Sequence, residues 1–207
     1  MELKTFFVVL HIFGVAIGAG AAFMSDALFF ASIKDRKITG DEMRGLRITS
    51  RAVWLGLALL IISGAGIFAS NPEFYMAASK FLAKMTVVGI IIVNGLLFHA
   101  IHLRNFEKSI GKDFFRSLES DRSGHFVYLS GVISVVSWVA AIILGSLRNL
   151  SLSYPAIIFF YFFAISIGAV GALIVMNPVI DKPEKKSLFW GGIVLPLILM
   201  TFLIPAI

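Results

Sequence analysis

Runs of about twenty consecutive apolar residues dominate this chain and constrain its fold more than any other feature. A helix rises about 1.5 Å per residue, so such a run matches the roughly 30 Å hydrocarbon layer of a bilayer. Six runs are marked, at about 5–31, 51–69, 81–103, 126–147, 154–178 and 187–205. Spanning segments must satisfy their own backbone, and short runs joined by polar loops do so as helices. Of the 207 residues, 58% are hydrophobic and only 14% charged, at a mean hydropathy of +0.93. A soluble domain normally has about a quarter of its residues charged. The expected architecture is an all-α integral membrane protein, a single domain over 1–207 built as a bundle of six transmembrane helices. The start, MELKTFFVVLHIFGVAIGAG, lacks a clear small-residue cleavage site and reads as a retained helix rather than a signal peptide.

The formal charge of +6 is informative through its placement. One set of linkers carries Lys34, Arg36, Lys37, Arg44, Arg47 and Arg51, then Arg104, Lys108, Lys112, Arg116 and Arg122, then Lys182, Lys185 and Lys186. The opposite side holds Lys4, Lys80, Lys84 and Arg148. Basic loops stay in the cytoplasm, so this bias predicts an N-out/C-out chain. The expected location is a prokaryotic cytoplasmic membrane, with the lipid bilayer as the first partner. Basic residues confined to loops between spans do not make a nucleic-acid surface. With no cysteine, disulfides, thiolate metal sites, iron–sulfur clusters and cysteine nucleophiles are excluded. The segment DEMRGLRITSRAVW suggests that the second helix starts before the bilayer, capped by Thr39 or Asp41.

Polar groups inside spans are costly and therefore informative. They are His11, Asp26, Lys84, Asn94, His99 and His102, with His125 at an interface. His11 and Lys84 lie near the same end of the first and third spans, which run in one direction. Both sit roughly 5–9 Å below the outer surface. His99 lies fifteen residues beyond Lys84, roughly 22 Å further along, so His11 and His99 are excluded as two axial ligands of one haem. At the opposite end, His99, His102 and His125, with Asp26, form a second candidate set for copper or another divalent metal. His99 and His102 are three apart, on one face of an α-helix. Each of these residues also has a plain structural role. Histidines at helix ends commonly sit in the interface, Asp26 could pair with Arg47 or Arg51, a lysine near a span's start snorkels, and His11 could bond a backbone group or a serine. The small residues Gly14, Gly18 and Ala22, and the SGAG of 63–66, normally serve close helix packing. A groove for a planar cofactor is the alternative. Ser130, Ser134 and Ser137 recur at helical spacing, and Tyr128 and Tyr154 suit interface anchoring.

The segments VVLHIFGVAIGAGAAF and FLAKMTVVGIIIVNGLLFHAIH resemble the first and third helices of the HemJ-type and CopD-type superfamily of multi-pass membrane proteins. In that superfamily the first helix opens on leucine–histidine–aliphatic before a small-residue stretch. The third has lysine near its start and histidine near its end. The resemblance covers residues 5–103 and implies a b-type haem with an electron-transfer or oxidoreductase role, on a porphyrin or quinone. It maps the important histidine and lysine onto His11 and Lys84. His11 would ligate the haem iron. Lys84 would be a second ligand, a catalytic group or the partner of a propionate. Gly14 and Gly18 would line the cofactor. The CopD-type relatives imply copper handling instead. The continuation IGAGAAFMSDALFF and the six-span plan depart from the HemJ pattern. A metal or small-solute transporter using the His/Asp set, a partner-binding membrane subunit, and a homo-oligomer are the other expectations.

Overall fold

The computed structural model describes residues 3–34, 38–102, 106–107, 110, 123–147 and 149–176. Among these, helix is nearly the only regular structure and no strand occurs. A lone parallel bridge joins Ile38 to Ile110. The helices are α1 (Leu3–Lys34), α2 (Gly40–Ala69), α3 (Pro72–Ala77), α4 (Ser79–Leu97), α5 (Ser123–Ser146) and α6 (Tyr154–Met176). A π-helical turn, Phe98–His102, continues α4. Five stretches are long and apolar enough to cross a membrane: Leu3–Phe29, Gly40–Ala69, Ser79–Ile101, Phe126–Ser146 and Tyr154–Ala172. They match the first five expected spans to within a few residues, apart from α2, whose helix begins eleven residues ahead of the expected span. The sixth, 187–205, lies outside the described residues.

What is buried and what is exposed confirms the solvent these helices are built for. On α1 the buried residues include Gly14, Gly18, Ala19, Ala22 and Phe29, while Leu3, Phe6, Ile12, Phe13 and Met24 are exposed. A water-soluble bundle would do the reverse, hiding the large apolar side chains. In lipid the apolar side chains can face outward, and small residues let helix backbones approach. The chain is an integral membrane protein by this logic.

The chain divides into two compact units. The first comprises Met1–Ala78 and Ile92–Gly124, the second Ser79–Ile91 and His125–Ile207. In the first, α1 packs along α2. A Cβ on Gly14 would come within 2.9 Å of the Leu60 amide nitrogen and 3.1 Å of the Gly56 carbonyl, and one on Gly56 would strike the Gly18 backbone. The two helices therefore touch main chain to main chain. At 30 residues, α2 is about 45 Å long and overshoots the hydrocarbon layer. Its overshoot is the polar start. Thr39 caps it through a reciprocal box, in which the Glu42 amide donates to the Thr39 hydroxyl oxygen at 3.2 Å and the Thr39 amide donates to the Glu42 carboxylate at 2.7 Å. Beside this end sits a small apolar core of Ile38, Met43, Leu46 and Phe106, each no more than 1% exposed. Phe106 stacks on Phe29 and meets Phe98 edge-on. Arg47 pairs with Glu107 at 3.2 Å on its rim.

The second unit is held by hydroxyl contacts between helices. Ser137 of α5 and Tyr161 of α6 share a buried hydrogen bond of 2.7 Å, and Thr86 of α4 meets the Tyr154 hydroxyl of α6 at 3.1 Å. Gly168 lies against Val132, where a Cβ would come within 2.6 Å of a valine methyl.

Candidate functional site

His11 lies on the α1 face that meets α2. Its Nδ1 is 2.9 Å from the hydroxyl oxygen of Ser63, a residue with no exposure. That hydroxyl also lies 2.5 Å from the Leu59 carbonyl, one helical turn back. A serine has one proton to give, and the Leu59 carbonyl can only accept. With the hydroxyl proton committed to Leu59, its oxygen accepts from His11 Nδ1–H. This arrangement favours the tautomer with the proton on Nδ1. A ring nitrogen held this way orients the other for ligation, as outer partners of metal-bound histidines do. Gly64 completes the setting. The ring passes over it, and a Cβ there would lie 3.6 Å from the ring Cε1. Two residues further along α2, Gly66 receives the Phe7 ring, which a Cβ would meet at 2.6 Å.

Gly14 and Gly18 continue the same α1 face, and α2 occupies the space beside them. That face is a helix seam, which fits the packing reading rather than an open groove for a planar ring. Lys84 belongs to the second unit. It is half-buried on α4, one turn beyond Lys80, whose ammonium donates to the Leu147 carbonyl at the end of α5. Among the described residues Lys84 makes no hydrogen bond or ion pair. A lysine at the centre of a span costs about 2.5–3.5 kcal/mol. Near the span's start the cost falls, but a reason for retaining the charge is still wanted.

The other candidate residues are more dispersed. Asp26 is half-buried on α1, fifteen residues and so roughly 22 Å along the helix from His11. His99 is exposed, and with His102 it falls in the π turn. The expected shared face rested on α-helical spacing. Bonds from i to i+5 wind the chain more widely, so that premise does not hold for this turn. The side chains of His102 and His125 lie outside the described residues. Among the described residues, no three His, Asp or Glu side chains converge as a metal site would require.

Sequence reading assigned none of the pairings seen here, although Ser137 and Tyr154 were among its marked residues. Ser63 stood only as one of several small residues in SGAG, and Tyr154 as an interface anchor. Tyr161 was not singled out. The signal available was a hydroxyl residue inside a span, which has few ways to satisfy its proton except a helix neighbour or its own i−4 carbonyl.

No protein-family model, no curated protein and no solved structure matches this chain.

Proposed function

We propose that this protein is a membrane-embedded b-type haem-binding protein with an electron-transfer or oxidoreductase role, and that His11 is an axial ligand. The observation that carries the reading is the chain of hydrogen bonds from His11 to Ser63 to the Leu59 carbonyl. It orients an imidazole inside an apolar span and favours the tautomer protonated on Nδ1, in which Nε2 would be the ligating atom. The donor chemistry fits a haem iron, for which a histidine is a common protein ligand. Haem supplies one-electron redox chemistry when bound. Ser63 holds the ring's rotation, the Leu59 carbonyl holds the serine, and the α1–α2 seam keeps water from both. His11 would hold the haem iron, whereas α2 backbone already lies against Gly14 and Gly18.

The reading extends to topology. The charge bias between alternate linkers supports six spans with both termini outside a prokaryotic cytoplasmic membrane. His11 then lies towards the outer face.

The test is an absorbance spectrum of the full chain purified after expression with haem supply. A Soret band that disappears in His11→Ala is the expected result. No band in the wild type, or a band unchanged in His11→Ala, overturns the proposal.

A further inference from the structure

Among the described residues of the second unit, positive charge meets no acid. Lys80 and Lys84 are four residues apart, so they share one face of α4 with their stems about 5–6 Å apart. Both are half-buried. Like charges at this spacing repel, and burial in an apolar span sharpens the cost. Lys80 has a local account. It donates to the Leu147 carbonyl, just past the last residue of α5, where a cation is favoured. Lys84 has no such account, making no ion pair or hydrogen bond among the described residues. The first turn of α4 contains no acidic residue, and the positive end of the helix adds to the same sign.

We propose that Lys84, with Lys80 beside it, binds a phosphate oxyanion at the start of α4. Lys84 lies five residues into the helix, so its α-carbon is roughly 7 Å from the helix start. A lysine stem reaches about that far towards the interface, where lipid phosphates sit. Two ammonium groups act as point charges, which suits a phosphate with its charge spread over several oxygens. The source is a lipid headgroup or free phosphate, and the experiment separates them. This inference does not depend on haem. His11→Ala leaves it untouched.

The full chain is held in micelles of a phosphate-free maltoside detergent, alone, with added phosphatidylglycerol, and with inorganic phosphate in the buffer. Thermal melting is followed in each. The expected result is a rise in Tm of roughly 2–4 °C with phosphatidylglycerol, lost in Lys84→Gln, kept in Lys84→Arg and unaffected by Lys4→Gln. The same pattern with inorganic phosphate alone assigns the site to the free anion. Native mass spectrometry gives a second readout, with retained phosphatidylglycerol falling roughly tenfold in Lys84→Gln, as expected for loss of a charged hydrogen bond. Equal melting of the wild type in all three conditions overturns the proposal, even if Lys84→Gln cannot be recovered. So does a response that Lys84→Gln retains or Lys4→Gln removes.

Discussion

At the scale of single residues, Ser63 is the informative position. If it orients His11, Ser63→Ala leaves the fold intact but releases the ring. Outer partners of metal-bound histidines are typically worth 10–100-fold in affinity, and haem affinity in Ser63→Ala is expected to fall by about that factor. Titration of haem into apoprotein measures it. An unchanged affinity would show that the serine only ties α1 to α2. Gly64 gives a complementary check. Gly64→Ala places a methyl at 3.6 Å from the imidazole, an ordinary contact, and should leave the spectrum unchanged, whereas Gly64→Leu should displace the ring and perturb it. The residue type that meets His11 was legible in the sequence, since a serine or a backbone group was expected. Which serine was not legible, because that depends on the register between α1 and α2. The register is set by Gly56 against Gly18, a contact between backbones that no pattern of side chains announces.

At the scale of elements, an early start of α2 was readable from sequence with Thr39 and Asp41 both open as its cap, and the structure has Thr39 capping through a box with Glu42. Thr39→Ala should destabilise the protein by about 1 kcal/mol, read as a small fall in melting temperature. The α1–α2 seam should be far less forgiving. Gly56→Ala puts a methyl group into the Gly18 backbone, and overpacking of this kind costs about 1–3 kcal/mol. A melt of Gly56→Ala indistinguishable from wild type would mean that the helices slide apart cheaply. The π turn at Phe98–His102 had no sequence signal. The run FHAIH contains neither glycine nor proline, and its winding coincides with Phe98 meeting Phe106, eight residues further on. Such a tertiary contact is invisible to local periodicity, and for that reason the α-helical spacing assumed for His99 and His102 failed.

At the scale of the whole molecule, hydropathy alone located the five spans described, because the bilayer imposes one length on every crossing. Sidedness rests on charge, and it has a clean test. The chain has no cysteine, so single cysteines can be introduced without background. Cysteines placed in the 104–122 linker should be protected from a membrane-impermeant thiol reagent in intact cells, and one near Lys4 should be labelled. The opposite pattern would invert the orientation and place His11 towards the cytoplasm. The pairing of Lys84 with His11 as one site was a matter of depth along two helices. Depth places residues at a level in the bilayer but not around a bundle, and the two residues belong to different compact units.

The main-chain contact of Gly14 and Gly18 with Gly56 bears on how the protein is made. A seam of glycines needs no rotamers to be frozen, so its formation loses little side-chain entropy. The two helices are joined by a short connection, and closing a short loop costs little. Both leave the ribosome before α4 is complete. The α1–α2 hairpin is therefore expected to pair during synthesis and to serve as the platform on which later spans assemble. Paired cysteines placed along the seam should cross-link in nascent chains arrested shortly after Ala78 emerges. If they cross-link only in the full-length protein, the hairpin is a late product of assembly rather than its start.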